Sequence, residues 1–324
     1  MGGYNHIEGE IPYIDLPKEL LESKQWSSTT EEWKELCGKV REACEDYGCF
    51  TVGYDEIFPA EQREEFFMCM KDLFDLPYET KQKNSSDLHP ANRGYIATSV
   101  VVPLYESLGV QNPIYLGQAQ AFTDLMWPDG NPAFCRSMNS LSRNMRRLEL
   151  LSMRMVLESY GIPTYYEAVA ENSVASFRMM KYRPPPATDE VALGLIEHTD
   201  KSFLTILCKE QVKGFELLTK QGHWLQFSPL QKGNFLVIVG EIFEAWSNRK
   251  VRALEHRVVM RGDKARYSCA LFMVPKDEEM IEVAKEFVDD DHPLLFRPFN
   301  FAAFVKYYNS NATSKNALQV YAGV

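Results

Sequence analysis

The sequence lacks the features that mark membrane, secreted and nucleic-acid-binding proteins. No apolar run in its 324 residues reaches the length that spans a bilayer, and its first residues carry acids in place of a basic export signal. Lysines and arginines are scattered and the net charge is -10, which disfavours nucleic acid and anionic lipid as partners. We therefore expect a cytoplasmic monomer that acts on a small molecule and has no nucleic-acid or membrane partner.

Several catalytic and thiol motifs are also missing. The seven cysteines are an odd number and none forms a C-x-x-C pair, which argues against a disulfide framework and against a thiolate zinc site. The chain has no G-x-S-x-G, no nucleotide-binding glycine loop and no H-E-x-x-H. Histidine is scarce, with six residues in all, so the position of each one carries weight.

The chain contains enough apolar residues, 45%, to build a substantial core. Apolar spacings of three and four predict helices over residues 29–47, from Pro59 to the residue before Pro77, and over 137–160. From residue 173 onward the pattern changes to short β-rich runs separated by turn residues. These runs are residues 175–182, 203–208, 215–219, 224–227, 235–239, 256–260 and 267–274.

This order of elements predicts a mainly β protein with flanking helices, in which the strands form a sandwich, a jelly roll or a barrel. We expect one structural domain over residues 1–324, and a two-domain split near residue 170 is the alternative. Within it we expect a helical region over 1–170, a β core over 171–276 and a C-terminal helical segment over 277–324.

Two histidines and one aspartate have the spacing of a metal site. His198 and Asp200 stand two apart on an extended segment, so their side chains point to the same side and can bind one ion. His256 must come from another strand, which a sandwich or barrel permits because inward positions converge on one cavity. Two imidazoles and one carboxylate form the metal face of non-heme Fe(II) oxygenases.

Arg266 and Ser268 follow His256 after a short turn and suit an acidic ligand. A guanidinium binds a carboxylate through two parallel hydrogen bonds, and a nearby hydroxyl adds a third. Each motif alone is common: an isolated His-x-Asp or Arg-x-Ser is more often part of an ordinary surface or core. Their joint occurrence on separate predicted strands favours one site. A β-barrel hydrolase that binds zinc through the same triad, and a binding protein without activity, remain alternatives.

The motifs taken together resemble the 2-oxoglutarate and Fe(II)-dependent dioxygenases of plant specialised metabolism, and the resemblance covers nearly the whole chain. The matching segments are residues 11–16, 46–50, 197–201, 246–248, 255–258 and 266–275. Residues 73–77, 180–182 and 198–201 are most similar to the subgroup that oxidises glucosinolate side chains and its relatives.

The resemblance implies a double-stranded β-helix core, which is a cupin-like jelly roll, as the catalytic part over residues 171–276. It also implies Fe(II) and dioxygen as cofactors, with His198, Asp200 and His256 as catalytic iron ligands. The co-substrate 2-oxoglutarate would be held by Arg266, Ser268 and Tyr182. The implied reaction is hydroxylation of a small, largely apolar metabolite, coupled to oxidative decarboxylation of 2-oxoglutarate to succinate and CO2. Desaturation, demethylation or ring formation are alternatives, and the substrate stays open.

Two departures from the family pattern lie near the expected cavity. Met180 stands where many relatives have the asparagine of an N-x-Y motif, and the related N-I-G-D stretch ends here in Glu241. We expect the substrate pocket to include Met180, Phe272 and Phe304, with the aromatic segment 277–324 acting as a lid.

Overall fold

The fold is taken from a computed structural model, which describes residues 10–17, 30–53, 59–85, 94–186, 190–209, 212–227, 235–311 and 316–324. The strands in chain order are β1 (Tyr13–Ile14), β2 (Cys49–Val52), β3 (Tyr105–Gln111), β4 (Ser173–Tyr182), β5 (Val191–His198), β6 (Leu204–Lys209), β7 (Phe215–Leu218), β8 (Trp224–Gln226), β9 (Phe235–Val239), β10 (His256–Arg261), β11 (Arg266–Pro275), β12 (Met280–Ile281) and β13 (Phe299–Asn300).

The helices in chain order are α1 (Glu31–Asp46), α2 (Ala60–Asp75), α3 (Tyr78–Gln82), α4 (Leu116–Met126), α5 (Pro132–Ser159), α6 (Tyr166–Glu171), α7 (Glu241–Trp246), α8 (Phe301–Ser310) and α9 (Ala317–Ala322). Short 3-10 helices cover Pro163–Tyr165 and Lys285–Phe287. Helix α5 starts five residues before the predicted 137, because Asn131 accepts a hydrogen bond from the Phe134 N–H and Pro132 occupies the first turn.

Two sheets face each other and enclose the smaller of two hydrophobic clusters. The large sheet has the order β1-β2-β9-β6-β11-β4-β3, and the small sheet has the order β5-β10-β7-β8. Every strand pair in them is antiparallel except β1 with β2. The smaller cluster joins Met180 and Leu207 of the large sheet to Phe215 and Val258 of the small one. This arrangement confirms the predicted jelly roll with flanking helices.

Side chains alternate between the two faces of the large sheet. On β11, Cys269, Leu271 and Met273 belong to the larger cluster, which the helices cover, whereas Ala270 belongs to the interior between the sheets. Strand β4 alternates in the same way, with Met179 outside and Met180 inside. The outer face therefore anchors the helices, and the inner face is left to build a site.

The first 170 residues supply strands as well as helices. Strands β1 and β2 form one edge of the large sheet and β3 forms the other. The sequence pattern left β3 unassigned, because Glu106 and Gly109 interrupt its apolar alternation. Residues on both sides of position 170 therefore share one sheet and one large hydrophobic cluster.

Helix α5 packs along the outer face of the large sheet. It is 28 residues long, and its buried stripe contains the predicted Leu141, Met145, Leu148 and Met155. Each such side chain contributes roughly 1.5–3 kcal/mol by burial. Within the described ranges, no helix is both long enough and apolar enough to cross a membrane.

One acid, Glu149, lies on the buried stripe of α5 and is fully buried. Its Oε2 accepts a hydrogen bond of 3.2 Å from Arg146 Nη1, but burial outweighs this contact and raises the pKa of Glu149 from 4.5 to about 8. A carboxyl group with a raised folded-state pKa stays protonated where the unfolded chain has ionised. It therefore destabilises the fold progressively between pH 4.5 and about 8.

We predict that Glu149→Gln removes this dependence. The free energy of unfolding of the variant should exceed that of the wild type by a margin that grows from pH 5 to pH 8, by at most about 1.4 kcal/mol per pH unit. Denaturant unfolding at pH 5, 6.5 and 8 measures it. The exposed Glu64→Gln on α2 serves as the control and should show a constant difference. A margin for Glu149→Gln that does not change with pH would contradict the prediction.

Candidate metal centre and co-substrate cavity

The pairing of β5 with β10 brings the two histidines together. Strand β5 ends at His198, β10 begins at His256, and the two residues are direct partners in the antiparallel register. Their ring centroids lie 4.2 Å apart. Asp200 follows two residues after His198, and its Oδ1 lies 3.9 Å from His198 Nε2 and 3.8 Å from His256 Nε2. One ligand atom from each residue lies within 4.8 Å of the others, so the three could hold one metal ion.

Backbone carbonyls orient both imidazoles. Nδ1 of His198 lies 2.8 Å from the Ile196 carbonyl oxygen, and Nδ1 of His256 lies 3.0 Å from that of Leu254. A neutral imidazole that donates from Nδ1 keeps the lone pair on Nε2, which is the nitrogen that faces Asp200. Burial lowers the pKa of His198, and the adjacent His256 lowers it further. Both rings are therefore held ready to bind a cation through Nε2.

The loop that carries Asp200 is fastened to the start of α7. The Glu241 N–H donates to the Asp200 carbonyl oxygen at 2.8 Å, and the Gly240 N–H donates to that of Phe203 at 3.0 Å. A Cβ at position 240 would collide with the carbonyl oxygen of Ser202, so this close approach of two backbones requires glycine. These hydrogen bonds fix the position of the Asp200 side chain, which is 7% exposed, beside the two histidines.

Arg266, Ser268 and Tyr182 meet on the inner face of the large sheet. Arg266 is the direct register partner of Tyr182, and its Nη1 donates to Ser268 Oγ at 2.9 Å. The guanidinium carbon lies 5.1 Å from the centroid of the Tyr182 ring. All three side chains are buried, and burial raises the pKa of Tyr182, so the phenol keeps its proton. The group offers a buried cation and two hydroxyls, which suits a carboxylate.

The predicted pocket residues lie in two different hydrophobic clusters. Met180 is buried in the interior cluster, as the register partner of Ser268, and Phe272 packs against that cluster from the same face. Phe304 lies instead in the larger cluster, where its ring packs against Phe299 and Tyr321 at 5.5 Å each. The structure therefore does not bring Phe304 together with Met180 and Phe272, because its position on helix α8 directs the ring toward other aromatic residues of the C-terminal segment.

A cavity of about 640 Å³ opens beside His198. Lys201 and Tyr308 line it, and the Lys201 Nζ lies 4.1 Å from the Tyr308 ring centroid and 3.2 Å from Glu241 Oε1. The Thr199 hydroxyl donates to the same carboxylate oxygen of Glu241. Sequence reasoning missed Lys201 and Tyr308, although each follows a predicted site residue closely. The C-terminal segment thus reaches this cavity through Tyr308, one turn beyond Phe304, and through residues 316–319.

Comparisons with known proteins agree with this geometry. Two family models match: the 2OG-Fe(II) oxygenase superfamily over residues 174–275, and the non-haem dioxygenase in morphine synthesis N-terminal family over residues 11–129. "Probable 2-oxoglutarate-dependent dioxygenase AOP1" of Arabidopsis thaliana is 38% identical over 311 residues, which cover 94% of this chain and 99% of that protein.

Two solved structures are similar along most of the chain. The dioxygenase for auxin oxidation from rice is 28% identical, with a TM-score of 0.78 and coverage of 97% of this chain and 100% of that one. The dioxygenase for auxin oxidation 1 from Arabidopsis thaliana, in a binary complex with 2-oxoglutarate, is 30% identical, with a TM-score of 0.75 and coverage of 88% and 100%.

We predict that His256→Ala weakens Fe(II) binding by more than about 100-fold, the upper range for loss of an outer contact to a metal ligand. The variant loses one of three converging ligand atoms, and its neighbours cannot replace it. Anaerobic calorimetry with Fe(II) measures the affinity. His223→Ala, at the exposed hairpin turn between β7 and β8, should bind like the wild type. Equal affinity of the His256 variant and the wild type would rule out His256 as a ligand.

Proposed function

This chain belongs to the 2OG-Fe(II) oxygenase superfamily, and from that membership we propose that His198, Asp200 and His256 are its iron ligands. As a member it is a 2-oxoglutarate-dependent dioxygenase, an enzyme whose cofactor is Fe(II) and whose co-substrate is 2-oxoglutarate. The observation that carries the assignment of ligands is the convergence of three potential ligand atoms within 4.8 Å. Both Nδ1 contacts to backbone carbonyls support it, since they aim the remaining nitrogens at one point.

We propose that Arg266 and Ser268 hold the far carboxylate of 2-oxoglutarate and that Tyr182 positions it. A fully enclosed guanidinium stabilises an anion strongly because little water screens the attraction. The Nη1 contact with Ser268 fixes the plane of the guanidinium, so a carboxylate binds in one orientation. Bound Fe(II), 2-oxoglutarate and dioxygen together supply the oxidant for an unactivated C–H bond.

The protein's own part in the reaction is to bind, orient and exclude water. The interior walls next to the co-substrate site are apolar, with Met180, Phe272 and Leu207 on the large sheet, and they keep the reacting region dry. We propose hydroxylation of a small, largely apolar plant specialised metabolite. The two similar solved structures are dioxygenases for auxin oxidation, which supports a small plant compound as the substrate. Desaturation, demethylation and ring formation begin with the same hydrogen abstraction and are the alternatives.

Halogenation is disfavoured by the residue that completes the triad. We propose that the Asp200 carboxylate, whose Oδ1 lies 3.8 Å from His256 Nε2, would hold the iron together with the two histidines and so would leave no place among the protein ligands for a halide. Incubation with chloride should therefore yield no chlorinated product.

We further propose a single structural domain over residues 1–324, with a helical N-terminal region over 1–170, the catalytic jelly roll over 171–276 and a C-terminal lid segment over 277–324. The mixture of N-terminal and core strands in one sheet supports it. We also propose that the enzyme is a cytoplasmic monomer with a small-molecule substrate and no nucleic-acid or membrane partner, in keeping with its net charge of -10.

We predict that the purified protein converts 2-oxoglutarate to succinate only with Fe(II) and dioxygen, and that a plant metabolite extract stimulates the conversion. Mass spectrometry of the treated extract should show a product that gains one oxygen, whereas loss of two hydrogens would select desaturation. Zinc-dependent turnover without oxygen would select the hydrolase alternative. Failure to consume 2-oxoglutarate with any extract would favour a binding protein without activity.

A second prediction concerns the carboxylate clamp. Arg266→Met should raise the KM for 2-oxoglutarate by about ten- to a hundredfold, since loss of hydrogen bonds to a charged group costs about 1.5–3 kcal/mol, while Fe(II) affinity stays close to that of the wild type. Succinate formation at varied 2-oxoglutarate measures it, with circular dichroism to confirm the fold. Arg136→Met on the exposed side of α5 is the matched control. An unchanged KM in the Arg266 variant would contradict the clamp.

A further inference from the structure

The short helix α7 contacts both chain segments that carry the candidate metal ligands. It follows β9 closely and extends from Glu241 to Trp246. Its apolar side chains are all buried in the larger hydrophobic cluster; they are Ile242, Phe243, Ala245 and Trp246. The remaining two residues, Glu241 and Glu244, stand three apart and so lie on one side of the helix. The apolar face thus anchors α7 in the core, and the acidic face is left for the site.

Glu241 is bonded to the segment that carries Asp200 through both its backbone and its side chain. Its N–H donates to the Asp200 carbonyl oxygen at 2.8 Å, and its Oε1 accepts a hydrogen bond from the Thr199 hydroxyl. Lys201 Nζ lies 3.2 Å from the same Oε1 and donates to the Thr199 carbonyl oxygen at 2.8 Å. The residues on both sides of Asp200 are therefore held by one carboxylate.

Glu244 is bonded to the segment that precedes His256. Its Oε2 accepts a hydrogen bond of 2.9 Å from the Ala253 N–H. The next residue, Leu254, donates its N–H to the carbonyl oxygen of Val239 at 3.1 Å. The Leu254 carbonyl oxygen is the group that orients His256 Nδ1. Glu244 and the end of β9 therefore hold the peptides next to the carbonyl group that sets the imidazole.

The two glutamates support the metal centre without belonging to it. Neither is a member of the group of potential metal ligands that the described residues form. Each has a cation beside it, since Lys201 lies next to Glu241 and Arg249 Nε lies 3.4 Å from Glu244 Oε1. These cations offset the repulsion between the glutamates and the nearby Asp200 carboxylate. The acidic face of α7 can therefore lie beside a metal-binding carboxylate.

The enclosure of Glu241 is unfavourable for the fold. Its side chain is 13% exposed, and its Oε2 is enclosed with no hydrogen-bond partner among the residues that the structure describes. A carboxylate oxygen in such a place destabilises the protein, because the hydration that it loses is not replaced. An enclosed polar atom of this kind calls for an explanation. The contacts of Glu241 with the Asp200 segment supply one.

We infer that Glu241 and Glu244 are positioning residues for the metal centre. Glu241 holds Asp200 through Thr199, and Glu244 holds His256 through the segment that begins at Ala253. The inference rests on the proposed function, because it takes Asp200 and His256 as iron ligands. Each glutamate acts as a hydrogen-bond acceptor, so loss of the acceptor lets a ligand turn away from the metal. Loss of the negative charge alone has a smaller effect.

The test measures Fe(II) affinity by anaerobic calorimetry in variants that remove or keep the acceptor. Glu241→Met and Glu244→Met should each bind Fe(II) about ten- to a hundredfold more weakly than the wild type, the usual range for loss of an outer contact to a metal ligand. Glu241→Gln and Glu244→Gln lose the charge but keep an oxygen acceptor. The glutamine variants should therefore retain most of the affinity.

A neutral substitution tests the path from Glu241 to Asp200. Thr199→Val removes the hydroxyl and changes no charge, and it should weaken Fe(II) binding by about threefold or more. Because Glu241 acts through this hydroxyl, the double variant Thr199→Val with Glu241→Met should bind no more weakly than Glu241→Met alone. Losses that multiply in the double variant would show that Glu241 does not act through Thr199.

Glu158→Met is the matched control. Glu158 lies on α5 in the helical layer, its side chain is 10% exposed, and it accepts hydrogen bonds of 2.6 Å from Trp33 Nε1 and from Arg154 Nε. This variant loses a carboxylate of similar burial that has no contact with the metal segments, so it should bind Fe(II) like the wild type. Circular dichroism checks the fold of every variant, and the glutamine variants and Thr199→Val carry the test if a methionine variant does not fold.

Two results would overturn the inference. One is wild-type affinity in a folded Glu241→Met or Glu244→Met, which removes the assignment of that glutamate. The other is an equal loss in the glutamine and methionine variants, which would show that only the charge matters. Failure of the proposed function shows differently: the wild type itself would bind no Fe(II), or His256→Ala would bind it as tightly as the wild type.

Discussion

The register between β5 and β10 is the constraint on which the candidate site depends. It places His256 directly opposite His198, although 57 residues of chain separate them in the sequence. Because side chains alternate along a strand, a slip of one residue would turn His256 to the outer face. The register shifts that follow His256 within the same pair are irregularities of the kind that re-aim side chains beside functional sites.

Interactions on the outer face help to hold that register. Glu216 of β7 is fully buried and pairs with Arg257 of β10 at 2.8 Å and with Arg261 at 2.9 Å. The Arg257 guanidinium also lies 3.9 Å from the centroid of the Trp224 ring on β8. A displaced strand would leave a buried carboxylate without these partners, which costs several kcal/mol. The ion pairs on the outer face of the small sheet thereby stabilise the register that positions the histidines on its inner face.

Each polar side chain in the interior between the two sheets is oriented by its own neighbouring group. Backbone carbonyl oxygens orient the two imidazoles, and the Ser268 hydroxyl orients the Arg266 guanidinium. Each polar group is held by a neighbour on a regular strand or at its end, so little reorganisation is needed when ligands bind. The larger cluster on the opposite face carries the helices and leaves this inner face free to differ in chemistry.

Much of the β core could be predicted because its strands are apolar runs bounded by turn residues, and β9 was located to the residue at 235–239. Strand β5 was not assigned, since Gly194 and Glu197 weaken its pattern and its character depends on pairing with β10. Phe304 was expected in the pocket because it belongs to an aromatic segment, but an aromatic residue gives no sign of whether it packs on its own helix or on a ligand.

The sequence by itself determined the fold class and indicated the candidate metal ligands and a candidate basic anchor, because periodicity and residue chemistry are local properties. Only the tertiary structure decided which distant residues meet. The opposition of His198 and His256 and the pairing of Arg266 with Tyr182 both follow from strand register. Register is set by packing between segments far apart in the chain, and local composition does not encode it.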